Sequence, residues 1–435
     1  MFMRKMLLSL WGLVVCFALY GQTVLEDIQR DIQNTASNYM KYPEPKQTVL
    51  TPAPKGMQPF YISHYGRHGS RFHSKPSMYN DPYLTLAKAD SLGKLTLLGQ
   101  DVLHRLDIIR HDAENRWGEL TPLGAEQQRQ IARRMVERFP EVFEGNTDVE
   151  ARSTPVGRCI LSMDYALMEL LTQNPNLNIH HNATHRDISY LNPQDKKLTA
   201  LKFNKPANAL YQQYIDRQVA STRLMRSLFN DTTYISHDVD AKELEVQLLL
   251  LAAIMQNTEL GKQVTLYDIF TTEEAYRIWE RGNVYWYVGW GACTVNGGVQ
   301  PYSQRNLLSK LIADADSCIN SEKPHVQLRF GHETVLMPFI CLIDINGYGL
   351  STDNLDVLEE NGWANYRIIP MSANVQFIFY RRHPKDKQVL FKVLLNENEA
   401  TLPLPTDQPP YYKYSDFRDY CLRKLEAYDE KGGQP

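Results

Sequence analysis

The run Pro59-Phe60-Tyr61-Ile62-Ser63-His64-Tyr65 is aromatic and branched, and it stops at Gly66 before Arg67-His68-Gly69-Ser70-Arg71. Residues of that kind favour a buried strand, and the glycine marks its exit into a loop. A loop at a strand's carboxyl end is where open α/β sheets build their sites. Strand-like runs return at His325 to Phe330, Asn374 to Arg381 and Val389 to Leu395. Between the two sets the pattern is helical, as in Lys242 to Met255, Glu273 to Arg281 and Gln304 to Cys318. Strands at both ends around a helix-rich middle predict an α/β core, a mixed sheet flanked by helices, interrupted by a mostly helical insertion.

The expected organisation is a leader over residues 1–21, an N-terminal arm over 22–57, a core over 58–172 and 321–435, and the insertion over 173–320. The leader reading rests on Arg4 and Lys5, the apolar stretch Met6 to Leu19, and Gly21 with Gln22. The apolar stretch falls short of the roughly 20 residues that span a membrane. Export to the periplasm or the medium follows, with no stable membrane anchor. Cys16 is a poor lipoprotein anchor, because Val15 precedes it and the apolar run continues beyond it. The arm is polar and then proline-rich, with Pro43, Pro45, Pro52 and Pro54, and is expected to lie over the surface.

A balance of 47 basic against 50 acidic residues, net −3, gives no overall field that would recruit nucleic acid. Attraction for an anion must be local. Five cysteines follow the leader, Cys159, Cys293, Cys318, Cys341 and Cys421, scattered without a CxxC pair. Buried thiols with one or two disulfides are expected, not a zinc ribbon.

In the loop after the first strand, two arginine forks can grip a phosphoryl group and never lose their charge. They also depress the pKa of the histidine between them, which keeps an imidazole nitrogen free to attack phosphorus. His64 and His68 are four apart, as in helical zinc sites, but Gly66 and the strand-to-loop geometry oppose one helical face. Thr121-Pro122 starts a helix, with Thr as cap and Pro in the first turn. A strand is expected over Asp148 to Ser153. The helix after Pro155 is expected to carry Leu161, Tyr165, Met168 and Leu171 on its apolar face.

Four segments in order, Arg67 to Arg71, Gly118-Glu119-Leu120-Thr121-Pro122-Leu123-Gly124, Arg152-Ser153-Thr154-Pro155-Val156-Gly157-Arg158 and Gly331-His332-Glu333, make the chain resemble the branch 2 histidine phosphatases. That group holds acid phosphatases, phytases and multiple inositol polyphosphate phosphatases. The resemblance implies that His68 is the nucleophile, Arg67, Arg71, Arg158 and His332 bind phosphate, and Glu333 donates the proton. It implies neither metal nor cofactor, and a small phosphomonoester as the partner. Arg152 reads as a strand-end residue in a salt bridge.

The family spells the last motif His-Asp or His-Ala-Glu. Here it is His-Glu-Thr, with flanks Phe330 to Pro338 closest to the inositol polyphosphate phosphatases. An inositol phosphate is therefore the expected substrate, with a nonspecific acid phosphatase or an inactive phosphate binder as alternatives. His73, where many members have proline, could meet further phosphates together with Lys75. The basic cluster His180, His181, His185 and Arg186 reads as a solvated loop, and Trp286, Tyr287 and Trp290 as core packing.

Overall fold

A computed structural model describes residues 23–430. The expected leader lies outside the described residues. The first strand, β1 (Gln58–Arg67), is buried at every position but its first, as its unbroken apolar run requires of a strand covered on both faces. Seven more follow: β2 (Asp148–Ser153), β3 (Asn178–Asn182), β4 (His325–Gly331), β5 (Asn374–Arg381), β6 (Leu390–Leu395), β7 (Asn398–Ala400) and β8 (Tyr412–Lys413). They form one sheet in the order β3-β2-β4-β1-β5-β6-β7, with β8 pairing β6. The β3-β2-β4-β1 half is parallel, and β5, β6, β7 and β8 continue it antiparallel.

Alternation along β1 decides what each face packs against. Ile62 points into a cluster with Met135, Val149, Met163, Leu167 and Phe330, under the helices Pro122–Arg138 and Gly157–Gln173. Tyr61 and Tyr65 point the other way, into a larger cluster with Phe377 of β5 and with Leu311, Phe339 and Phe417 from the helices Arg305–Ile319, Glu333–Leu342 and Tyr414–Glu430. The result is the expected mixed sheet between helical layers.

A third cluster joins the helices Ser77–Ser91 and Leu97–Asp112 to Thr222–Leu228 and Ala241–Met255, through Leu86, Leu106, Leu228 and Leu248. The helical body thus draws on two distant stretches of chain, not on the middle alone.

Four expectations need correction. The helix-rich stretch from Gln173 opens with a strand, β3, whose His180 and His181 are exposed on the sheet edge. Backbone pairing to β2, not side-chain pattern, makes it a strand. On the helix Gly157–Gln173 the buried stripe is Cys159, Met163, Ala166, Leu167 and Leu170. Leu161, Met168 and Leu171 face solvent, because the helix offers two apolar stripes and the sheet takes the other one. The five cysteines are buried free thiols with no disulfide among the described residues. Finally, the arm is not all surface. It forms the helix Val24–Arg30 and a 3₁₀ segment Ile32–Tyr39, whose Thr35, Ala36, Ser37 and Asn38 are buried.

Candidate active site

The parallel strands β1, β4 and β2 end side by side, and each delivers part of one cradle. β1 runs into Arg67 to Arg71, β4 into His332 and Glu333, and β2 into Thr154 and the helix that carries Arg158. The first loop is held by its backbone. His68 N–H donates to the Gly331 carbonyl at 3.0 Å, and the His68 carbonyl accepts from Ser372 N–H at 3.1 Å. Gly69 N–H donates to Ser162 Oγ at 3.0 Å. Ser70 N–H donates to Gln127 Oε1 at 3.0 Å, and Gln128 Nε2 donates to the Arg67 carbonyl at 3.1 Å.

The Gly118–Gly124 segment lies against the same loop. Thr121 N–H donates to the Ser70 carbonyl and Phe72 N–H to the Glu119 carbonyl. Thr121 caps the helix Pro122–Arg138 by accepting from Gly124 N–H, with Pro122 in the first turn. Gly69 and Gly124 meet backbone to backbone. A Cβ on Gly69 would lie 2.3 Å from the Gly124 carbonyl oxygen, and one on Gly124 would lie 2.2 Å from that of Ser70. Only glycine permits that approach.

At the centre His68 is fully buried. Its Nδ1 lies 2.8 Å from the Gly69 carbonyl oxygen. A carbonyl only accepts, so Nδ1 carries the proton and Nε2 presents its lone pair. Nε2 has no hydrogen-bond partner among the described residues and lies 3.7 Å from Glu333 Oε2. Burial, then Arg67, Arg158 and Arg71, hold the imidazole well below its ordinary value. It is therefore neutral at working pH.

Glu333 Oε1 lies 3.0 Å from Arg67 Nη2 and 3.7 Å from Arg71 Nη2. Burial would raise its pKa, but Arg67 and Arg71 win and hold the carboxyl at about 2. Arg67 is lowered to about 10, by burial first, and remains charged. Arg158 is half-buried, and its charge reaches both His68 and His332. Among the described residues, the Nε atoms of Arg67, Arg71 and Arg158 are buried without a hydrogen-bond partner. Three cations with donors to spare make an anion site with one carboxylate in it.

His332 stands beside His68, with ring centroids 5.8 Å apart. Its Nε2 lies 3.2 Å from Thr154 Oγ1, and burial lowers its pKa to about 4. Ligand atoms of His68, His332 and Glu333 fall within 4.8 Å of one another, as a metal would need. The guanidinium groups around them repel a cation, so the donor set fits a phosphoryl group better.

The fold thus brings Arg67, His68, Arg71, Arg158, His332 and Glu333 together. It does not bring in His64, which is buried against Phe330. Arg152 stays at the strand end, 3.7 Å from Glu150. His73, expected at the pocket rim, is fully buried. It lies edge-on to Tyr39 and Tyr79, with Nε2 3.0 Å from the Leu250 carbonyl oxygen. Packing has taken that histidine out of the substrate's reach.

One participant came from the arm. The Asn38 carbonyl accepts from Arg67 Nη1, and Asn38 Nδ2 donates to Glu333 Oε1 at 3.4 Å. Neighbouring Ser37 has φ 56° and its Oγ accepts from Asn365 Nδ2 at 2.7 Å. An asparagine in a polar arm offers no local signal of such a contact. Beyond Glu333 the cradle opens into a cavity of about 880 Å³ walled by the arm and the helical body.

The profile of the histidine phosphatase superfamily (branch 2) matches residues 66–396. Multiple inositol polyphosphate phosphatase 1 of Gallus gallus is 22% identical over 320 residues, 69% of this chain and 68% of its own. Among solved structures, the multiple inositol polyphosphate phosphatase of Bifidobacterium longum in complex with inositol hexasulfate superposes with TM-score 0.75 at 18% identity, over 89% of this chain and 97% of that one. The phytase from D. castellii gives TM-score 0.68 at 16% identity, over 94% and 89%.

Proposed function

This chain belongs to branch 2 of the histidine phosphatase superfamily, and on that premise we propose that it is a phosphatase of inositol phosphates working through a phosphohistidine on His68. That it is a phosphatase follows from the family. The substrate class and the residue roles are our reading. The observation that carries it is the His68 imidazole, fixed through Nδ1, with an unpartnered Nε2 facing Glu333 among buried arginines.

In the first step Nε2 forms a bond to phosphorus as the bond from phosphorus to the alcohol oxygen breaks, and Glu333 gives its proton to that oxygen. In the second, water attacks phosphorus, the P–N bond breaks, the water proton goes to Glu333, and phosphate leaves. Arg67, Arg71, Arg158 and His332 stabilise the nonbridging oxygens throughout. In the free enzyme Glu333 stands in for the phosphate between Arg67 and Arg71. A bound phosphoryl group takes over those forks and frees the carboxyl to be protonated. Similarity to phosphatases of inositol polyphosphates, and the flanks of His332, support the substrate class. Export, read from residues 1–21, belongs to the same proposal.

The test is turnover of an aryl phosphate and of phytate by wild type and by His68→Ala, with acid-labile phosphoenzyme measured after quench. His68→Ala should lose about 1,000-fold or more on both, and wild type alone should trap label. Equal near-zero turnover of both proteins would leave a phosphate binder. Efficient cleavage of aryl phosphate without any cleavage of inositol phosphates would overturn the substrate class alone.

A further inference from the structure

The cavity beyond the cradle has a chemistry of its own. Its wall carries three cations outside the cradle, Lys75, Lys242 and Arg281. Arg281 is already bound to Glu245 at 2.7 Å and to Gln218 at 2.7 Å. Lys242 faces Asp216 at 3.8 Å. Lys75 alone among them has no carboxylate of the described residues against it. Three carboxylates outside the cradle share the wall, Asp216, Asp240 and Glu243, all exposed. Asp240 and Glu243 sit at the start of the helix Ala241–Met255, Asp240 as its cap.

Between these groups the wall is aromatic. Tyr285, Trp286 and Trp290 line it from one helix, with Trp286 and Trp290 centroids 4.5 Å apart. Of the cluster expected to be core, Trp286 and Tyr287 are buried in it, and Trp290 is partly buried against it.

Each phosphate on a substrate ring carries about −1.5 to −2 near neutral pH. One of them enters the arginine cradle. Any other must lie along a wall where, with the Lys242–Asp216 pair set aside, Asp240 and Glu243 stand against Lys75. Hydroxyls suit that wall better, because they donate to carboxylates while the C–H face of a ring packs on aromatic side chains. We infer that this wall is a leaving-group subsite for the hydroxyl-bearing part of a partly dephosphorylated inositol phosphate. The enzyme then prefers inositol phosphates with few phosphates to the hexakisphosphate. The inference rests on the substrate class proposed above and adds the direction of selection.

The experiment compares initial-rate kcat/KM for inositol trisphosphate and hexakisphosphate in wild type and in Asp216→Asn/Asp240→Asn/Glu243→Gln. Asparagine preserves the helix cap, and the ratio of two substrates in one preparation cancels any loss of folded protein. Wild type should favour the trisphosphate by threefold or more. The variant should narrow that ratio at least threefold, through a lower KM for the hexakisphosphate. Added salt should narrow it in wild type, since exposed charges are screened over about 10 Å at 0.1 M. A wild type that favours the hexakisphosphate, or a ratio unmoved by the three substitutions, would overturn the inference. Failure of both inositol substrates with aryl phosphate still cleaved would instead overturn the substrate class on which it rests.

Discussion

In the proposed mechanism Glu333 and His68, 3.7 Å apart, have opposite needs. The imidazole must be bare to attack, and burial with three arginines keeps it so well below its ordinary pKa. The carboxyl must carry a proton, yet the free enzyme holds it at about 2. The proton must therefore arrive with the substrate, whose phosphate monoanion loses it at a pKa of about 6. Accordingly kcat/KM should be level at acidic pH and fall above about pH 6 as the monoanion disappears. Glu333→Gln should lower kcat on alkyl phosphates about 100- to 10,000-fold. Aryl phosphates, whose leaving group needs no proton, should lose far less, and inorganic phosphate should inhibit more tightly because Arg67 and Arg71 lose their internal anion. Equal losses on both esters would remove the proton-donor role. Arg67, His68 and Arg71 were readable because five adjacent residues carry them. Arg158, His332 and Glu333 needed the ordered motifs of a family. His73 misled because a basic residue near such a loop resembles a ligand until Tyr39 and Tyr79 are seen to enclose it.

At the scale of elements, the contact between the Arg67–Arg71 loop and the start of the helix Pro122–Arg138 fixes where the His68 imidazole, the proposed nucleophile, points. A methyl group on Gly124 would meet the Ser70 carbonyl at 2.2 Å and the Ser70 nitrogen at 2.6 Å, so the loop or the helix must move. Gly124→Ala should cost about 1–3 kcal/mol of stability and reduce kcat at least tenfold. Thr121→Ala removes the cap and the Oγ1–H donation to the Ser70 carbonyl but keeps the backbone bond from Thr121 N–H to that carbonyl; it should cost about 1–2 kcal/mol and leave kcat within about twofold. Thermal unfolding and kcat on one aryl phosphate separate the two effects. If Thr121→Ala impaired catalysis as much as Gly124→Ala, the close approach would not be what positions His68. Strands β1, β4, β5 and β6 were legible because their apolar runs are long and central. Strand β3 was not, since Asn-Ile-His-His-Asn has too little pattern and owes its form to pairing with β2. The inverted face of Gly157–Gln173 shows the same limit, because periodicity finds a helix without saying which of two stripes the sheet will cover.

For the whole molecule, strands at both ends around a helical middle were enough to foresee the mixed sheet. Long-range pairing was not foreseeable, whether of Asn38 with Glu333 or of Leu86 and Leu106 with Leu248, because local pattern carries no record of distant partners. Burial of ionisable groups is likewise a property of the assembled molecule, and it sets an acid limit on stability. Burial, aided by Arg329 for His64 and by Arg71 for His73, lowers both histidines to about 3, whereas the unfolded chain returns them to about 6.5. Between those values the unfolded state binds the extra protons, so stability present above pH 6.5 is lost as pH falls toward 3. Glu280, raised to about 7 by burial and Glu359, works the other way, since the folded state holds its proton between about pH 4.5 and 7. The histidines outnumber it, with His332 adding to them, and the midpoint of urea unfolding should fall from pH 6.5 to 4.5. His73→Gln keeps a donor for the Leu250 carbonyl but cannot titrate. It should flatten that fall by up to about 1.4 kcal/mol per pH unit, whatever its effect at pH 7. A slope equal to that of wild type would mean that His73 takes up its proton in the folded protein as readily as in the unfolded chain.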